Sequence, residues 1–428
     1  MDNLQLIIVF DAMLYLLTFI YWAFKLKKIN AGLGILLIMC MSHVGAIFYY
    51  RVLYEFGFDL EFGIIPFVFL YLMIMMNLYP FLKHDGIREI DVTGNERFIK
   101  VLSIFVILIT VEPFFENIKV LLTSKAEYSD VYDDMREGYL KIYTGFGEML
   151  MGWSNHFRLF VPIAFFYYLS IEEKKKWIIA GLVMCMANYI LYWANYGTRG
   201  GILSQAFMYL FSFILFMPLF DPTTIRKVKR WIVIASIPMV LFFALITLSR
   251  FNSGSSNKTL VGWILLYSSE GPIKFSNEMW DGEHNTNGDV NLCYLKSLVG
   301  LKTFTSFEDR DEYYLAKNGR RIENFYTYVG DFVSDFGVFG AFVVCLILTL
   351  VTKHFLRKDG VLLFQNLLFV LFAIHMYSIG FASNIYRSNS MQKDNFYLFV
   401  VFLIMTYLSK TSKYQITQTN NVEEETLI

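Results

Sequence analysis

Charged side chains are scarce in this sequence. Asp, Glu, Lys and Arg make up 17% of the 428 residues, where a soluble domain uses about 25% to cover its surface. That shortfall excludes an ordinary soluble domain. Net charge is absent too: 37 Lys and Arg balance 37 Asp and Glu, so no global basic field points to nucleic acid. Cysteine is rare, at four residues. Cys40, Cys185 and Cys345 lie inside apolar runs and only Cys293 lies in a polar stretch; one such thiol closes no intramolecular bridge, and the spacing matches no metal site. Met1 to Leu6 carries no basic region, and the first apolar run ends at Lys25-Leu26-Lys27-Lys28 without a small-residue cleavage site. The expectation is a first helix that is retained. Segments of alternating hydrophobicity are missing as well, which excludes a transmembrane β-barrel, and no internal repeat is visible.

What is present is apolar sequence in blocks. Hydrophobic residues reach 56%, with a mean hydropathy of +0.46. Runs at about 4–24, 31–50, 63–82, 99–118, 152–171, 177–196, 201–220, 231–249, 333–353, 361–382 and 395–409 are each near the ~20 residues that cross a bilayer as a helix. The reading is an all-α polytopic membrane protein with about eleven spans, one integral membrane domain over residues 1–409. Basic residues set its orientation. The connections 25–28, 83–100, 174–176, 226–230 and 353–358, with Lys410 and Lys413, hold roughly nineteen Lys and Arg, which places them in the cytoplasm. The short connections on the other side hold only Arg51, Arg199, Arg387 and Lys393. The N-terminus is then periplasmic and the polar tail, 410–428, is cytoplasmic and expected to be disordered. Two longer segments face outward, 112–157 and 250–332; long loops escape the charge rule.

Polar residues inside the spans are skewed toward the outer half. Asp11, His43 and His375 each lie about seven residues from the outer end of their helix, roughly 10 Å deep. Asp11 and His43 read either as a buried pair fixing helix packing or as part of a site reached from outside. A transporter normally places its site near the midplane, so the skew counts against one.

Between the sixth and seventh spans stands Tyr196-Gly-Thr-Arg-Gly-Gly201. This near-absent loop requires glycine for tight dihedrals and holds Arg199 at the outer surface, where a cation is disfavoured. A guanidinium offers a fork of donors suited to phosphate, and Gly200 and Gly201 would add free amide groups at a helix N-terminus. The competing reading is an interfacial arginine reaching lipid headgroups. In the loop 250–332, Trp263, Tyr267, Phe275, Trp280, Tyr294, Phe304, Tyr313 and Tyr314 suit sugar stacking or the buried side of surface helices. Asp309-Arg-Asp311 has the form of a metal pair, which the charged stretch 308–312 explains by chance. His284 is a conceivable base or a solvated loop histidine. Arg320-Arg321 precede the point of re-entry into the membrane, and Asp335 reads as a helix cap in preference to a proton carrier.

The arginine turn followed by a span, then a long outer loop ending in Phe325-Tyr-Thr-Tyr-Val-Gly-Asp-Phe-Val-Ser-Asp-Phe-Gly337, resembles the Wzy-type oligosaccharide repeat-unit polymerases of O-antigen and capsule, closest to the forms found in Bacteroidota. The stretch Tyr267 to Phe275, with Gly271-Pro272, is also similar to that group's loop. The resemblance implies a GT-C-type glycosyltransferase of the bacterial inner membrane, working at the periplasmic face on two undecaprenyl-pyrophosphate-linked glycans. It implies outward-facing arginines, here Arg199 and, by position, Arg320 or Arg321, with no metal and no cofactor, and a separate co-polymerase that sets chain length. Asn324, Tyr326, Asp331 and Asp335 become substrate-binding candidates beside Gly200, Gly201 and His284. No histidine stands in a recognisable motif, which leaves a general base unassigned. Two alternatives share the sequence pattern in part: an O-antigen ligase that moves finished polymer onto a lipid core, and a flippase or transporter of lipid-linked glycan.

Overall fold

In hydrocarbon every backbone polar group must be satisfied within its own segment, so apolar runs of this length fold as helices. The computed structural model describes residues 3–55, 60–84, 86–123, 143, 145–253, 260–280, 285–301, 304, 307–319, 325–356 and 360–426. The chain is an all-α multi-pass membrane protein. Its helices are α1 (Asn3–Leu26), α2 (Ala31–Glu55), α3 (Ile64–Lys83), α4 (Glu96–Thr123), α5 (Gly145–His156), α6 (Phe160–Ser170), α7 (Lys176–Asn195), α8 (Arg199–Phe216), α9 (Pro222–Ser253), α10 (Leu260–Lys274), α11 (Cys293–Leu298), α12 (Phe307–Asn318), α13 (Thr327–Phe355), α14 (Phe364–Ile379) and α15 (Asn389–Thr426). Among the described residues nine of these are long and apolar enough to cross a membrane, with two shorter apolar helices, α6 and α14, between them.

The basic connections gather on one face, called here the basic face. Asn30 donates to the carbonyls of Phe81, Leu82 and His84. Two short strands, β1 (Glu89–Asp91) and β2 (Val361–Leu363), pair in parallel, Asn95 donates to Gln365, and Lys174 reaches Thr224. Asp221 starts α9 as its N-cap: Oδ1 accepts from the backbone of Thr223 and Thr224, with Pro222 at the first helical position where its missing N–H costs nothing. At the opposite ends of these helices, called here the loop face, Asn195 donates to Asn117, Arg199 lies on Tyr267 and Phe325 N donates to Glu270.

The core runs through the centre of the bundle, where Leu36, Leu70, Ile74, Phe211, Leu367 and Ile374 are at most 1% exposed. The perimeter is apolar as well: Phe24, Leu108, Trp231 and Phe339 are all more than 60% exposed, as a lipid-facing surface requires. Asp11 and His43 form a buried pair between α1 and α2 at 2.5 Å, with Tyr15 stacked on the imidazole, while Asp11 Oδ1 has no hydrogen-bond partner.

Three differences from the sequence reading have physical causes. First, the segment expected as a loop over 112–157 is partly helical, because α4 carries on through Pro113 to Thr123 and α5 covers 145–156. Second, α15 continues to Thr426 where a disordered tail was expected; no glycine or proline follows residue 410 to stop it. Third, the ninth span, expected over 333–353, is a bent helix that starts at Thr327 and breaks at Gly337, where φ is 70° and ψ 177°. Only glycine adopts that backbone without strain. A straight helix would hold Tyr328 and Thr349 about 31 Å apart. Both instead hydrogen-bond the same side chain: Asn77 donates to Tyr328 Oη and accepts from Thr349 Oγ1, each at 2.9 Å. The chain therefore doubles back at Gly337. Residues 327–336 form a short arm of their own, and 338–355 form the crossing.

Candidate functional site

The fifth crossing is interrupted. Phe157, Arg158 and Leu159 form a turn between α5 and α6, closed by Phe157 N to Ser154 O and Arg158 N to Asn155 O, with Pro162 in the first turn of α6. The turn buries Arg158, which is 3% exposed. Its Nη2 contacts Met391 Sδ at 2.7 Å and lies 3.8 Å from Asp394. Asp394 is shared with His156 Nδ1 at 2.7 Å. Arg158 Nε is buried with no hydrogen-bond partner. A buried guanidinium with five donors is here met by one distant, shared carboxylate.

Nearby polar groups divide into satisfied and open. His375 bonds Ser204 Oγ at 2.6 Å and Tyr386 Oη at 2.7 Å, which engages both ring nitrogens. Arg158 lies close enough for its charge to act on His375, Tyr189 and Tyr386. Gln205, next to Ser204 on α8, is fully buried and neither of its amide atoms has a partner. One residue beyond Asp394, the buried Oδ1 of Asn395 is also without a partner. Asn395 stands at an apolar cavity of about 340 Å³ between α13, α14 and α15, lined by Phe355, Phe369, Phe372, Phe399 and Phe402. Phe372 stacks on Tyr386 at 4.5 Å, so the polar cluster and the phenylalanine groove share a wall.

The segment joining α14 to α15 folds against the short arm of α13. Thr327 N and Tyr328 N donate to Ala382 O and Gly380 O. Asp331 takes Arg387 Nη1 at 3.3 Å and the backbone N–H of Asn384 at 2.6 Å. Asp335 accepts from Thr286 Oγ1, from the backbone of Val290 and Asn291, and from Asn291 Nδ2. It thus fastens the loop at 286–291 and does not cap the start of the helix, which lies eight residues earlier. A second cation of the loop, Arg310 on α12, has its pKa lowered by burial and by Arg387.

Arg199 stands at the first position of α8. Its guanidinium lies 4.6 Å from the centre of the Tyr267 ring, a cation–π distance, and donates to Thr247 Oγ1 at 3.3 Å. Tyr267 packs on Phe325 at 5.6 Å, and Phe325 N donates to Glu270, so Arg199 sits beside the point where the loop re-enters the membrane. Glu270, on α10, has its pKa raised by burial.

Of the candidates read from sequence, the structure brings Asp331 and Asp335 into one network and puts Arg199 near Phe325. Tyr326 is 2% exposed and gives its hydroxyl to Glu278, a packing position. A Cβ on Gly201 would lie 2.3 Å from the Trp193 ring, whereas one on Gly200 would meet nothing within 4 Å; close approach accounts for Gly201. His284, Arg320, Arg321 and Asn324 lie outside the described residues. The loop aromatics are mostly packing: Phe275 is fully buried, and Phe304, Tyr313 and Tyr314 cluster together. Arg158 was missed because it sits in an apolar run that reads as the start of a span; its signal is an arginine four residues before Pro162. Among the described residues no group of three or more His, Cys, Asp and Glu assembles as a metal site. Chemically, the arrangement offers a buried, incompletely paired cation, Arg158, whose partner Asp394 adjoins a residue of the apolar groove, and a separate cation, Arg199, stacked on Tyr267; His375 is already engaged at both ring nitrogens and His156 is bonded to Asp394.

No protein family, curated protein or solved structure matches this chain.

Proposed function

We propose that the chain is a repeat-unit polymerase: a GT-C-type glycosyltransferase of the bacterial inner membrane with eleven crossings, its basic face cytoplasmic and its loop face periplasmic. α6 and α14 supply the two short crossings, which puts the N-terminus outside and the C-terminus inside. The substrates are two undecaprenyl-pyrophosphate-linked glycans, donor and acceptor, and a separate chain-length-setting co-polymerase is the expected partner.

The observation that carries this reading is Arg158: a buried cation with an open donor, whose carboxylate partner Asp394 immediately precedes a residue that lines the phenylalanine groove. In the reaction an acceptor hydroxyl oxygen forms a bond to the anomeric carbon of the donor chain. The bond from that carbon to the pyrophosphate oxygen breaks, the electron pair leaves on undecaprenyl pyrophosphate, and the hydroxyl proton passes to solvent or to the departing group. Negative charge grows on the diphosphate, so prearranged guanidinium groups lower the barrier. One such contact is worth about 3 kcal/mol, or about a hundredfold in rate. Arg158 and Arg199 are assigned to that charge, the groove to the start of the polyprenyl chain, and Arg387 to holding Asp331 and the short arm of α13 in place.

The test uses purified chain in nanodiscs with a lipid-linked repeat unit, reading product length on a gel. Arg158→Ala and Arg199→Ala are each expected to slow elongation about a hundredfold while eluting as folded protein. Normal ladders from both variants would overturn the assignment. In the producing strain, deletion should leave single-repeat glycans; full polymer stranded on undecaprenyl pyrophosphate would instead mark a ligase.

A further inference from the structure

The basic face carries a cavity that the proposed chemistry leaves unused. It encloses about 300 Å³ beside the end of α3, and Tyr79, Lys83, His84, Arg88, Lys353 and Gly360 are among its walls. Three of these are cations brought from three separate places in the sequence: the last turn of α3, the strand approach at 88, and the last turn of α13.

The walls are fixed by backbone structure. Arg88 N and Glu89 N both donate to Gly360 O, and the β1–β2 pairing continues from there. Gly360 has φ 77°, and a Cβ there would lie 2.9 Å from Arg88 Cγ. The arginine stem is thus pressed onto a glycine that no other residue replaces without strain. His84 Nδ1 accepts the Gly86 N–H at 3.1 Å, which leaves the ring proton on Nε2.

Neither Lys83, Arg88 nor Lys353 forms an ion pair with a carboxylate among the described residues. Lys83 Nζ instead lies 4.4 Å from the Tyr79 ring centre. Three like charges around one cavity repel each other unless an anion joins them. Tyr79 is 45% exposed, and Lys25 nearby on the same face lies over the rings of Tyr21 and Trp22. Such amphipathic rings mark the headgroup level of a bilayer, where basic pockets between helices take phosphate headgroups.

We propose that this cavity is a phosphate-binding site, held by Lys83, Arg88 and Lys353, separate from the arginines at 158 and 199. Its ligand is a phosphate ester or inorganic phosphate, and the site stands whatever chemistry the loop face performs. The rim of exposed Tyr79 favours an anionic lipid of that leaflet.

Full-length protein in detergent is titrated with phosphatidylglycerol, with phosphatidylcholine and with inorganic phosphate, reading bound lipid by native mass spectrometry and unfolding temperature in parallel. Each cation is worth about fivefold in affinity for an anionic headgroup. The triple variant Lys83→Gln, Arg88→Gln, Lys353→Gln should therefore bind phosphatidylglycerol about a hundredfold more weakly. A control triple, Lys174→Gln, Lys227→Gln, Lys229→Gln, should bind as the parent does. Stabilisation of the parent by phosphatidylglycerol, lost in the first triple alone, supports a lipid ligand. Stabilisation by inorganic phosphate without lipid, lost in the same triple, supports a soluble one. Equal binding by the two triples, or no binding by the parent, overturns the proposal. Lys353→Gln alone, expected to bind about fivefold more weakly, keeps the test open if the triple does not fold.

Discussion

Replacing Gly337 by alanine puts the bend in α13 to a direct test. At φ 70° and ψ 177° a residue with a Cβ is held in a region that is essentially reserved for glycine, at a cost of about 1–3 kcal/mol. The added methyl would lie 3.2 Å from Asn285 Nδ2, a tight contact that the flexible amide can relieve, so the backbone term dominates. At about 2 °C per kcal/mol for a large chain, Gly337→Ala should lower the unfolding temperature by about 2–6 °C. Gly152→Ala serves as the internal control. Gly152 lies inside α5 with nothing within 4 Å of its Cβ position, and alanine is favoured over glycine in a helix by about 1 kcal/mol. Its unfolding temperature should hold or rise. Both are read by thermal unfolding in detergent with size-exclusion detection. If Gly337→Ala matches the parent, the residue does not have a glycine-only conformation, and the account of a chain that doubles back there fails.

Other consequences follow from the same geometry. Tyr328→Phe and Thr349→Val should be non-additive by about 0.5 kcal/mol or more, because they share Asn77; additive losses in a double-mutant cycle would mean that the two arms of α13 do not meet. The two threonine hydroxyls and the N–H groups at Thr223 and Thr224 hold the Asp221 carboxyl well below its ordinary pKa. A depressed carboxyl contributes stability that is present above its unfolded value, near 4, and lost as pH falls toward its folded value. The gap in unfolding temperature between the parent and Asp221→Ala should thus be constant from pH 5 to 7 and narrow below about pH 4; a gap that persists unchanged at pH 3 would contradict the cap. Arg158→Met should slow elongation about a hundredfold while leaving the unfolding temperature unchanged or higher, since removing an ill-paired buried charge relieves desolvation and Asp394 keeps His156. A drop of several degrees would make Arg158 a structural residue.

The bundle was legible in the sequence because its signal is one of length: a run of ~20 apolar residues has few fates in a bilayer. The basic connections were legible for the same reason, being short and alternating. The parts that escaped are those set by tertiary contact. Gly337 reads as an ordinary glycine near the end of a loop until Asn77, some 260 positions away, is seen to hold both arms. Arg158 is hidden because hydropathy averaged over a window absorbs one charge among Leu159, Phe160 and Val161. Gly271-Pro272, a turn signal in isolation, lies in the last turn of α10, and the glycine is required there because Phe381 O comes within 2.3 Å of where a Cβ would be. Arg199 was legible as an oddity of placement, but its aromatic partner Tyr267 lies 68 positions on in a segment with no periodicity to announce it.

The distribution of unsatisfied groups bears on where chemistry happens. A polar atom buried without a partner costs about 1–3 kcal/mol, and the bundle meets most such demands in full: His375 uses both nitrogens, Asp335 takes four hydrogen bonds, and Asn117 is bonded by Asn195 and to Asn188. Open atoms are found in several places, Asp11 Oδ1, Tyr15 Oη, Ser42 Oγ, Thr352 Oγ1 and Tyr377 Oη among them, and one set belongs to three residues around a single junction: Arg158 Nε, both amide atoms of Gln205 and Asn395 Oδ1. All three residues border elements that meet at Tyr386 and Asp394, and one of them lines the phenylalanine groove. Arg158 is the one charged member of that set, and under the proposed function the diphosphate supplies the hydrogen bonds its guanidinium lacks, which offsets the cost of burying the cation.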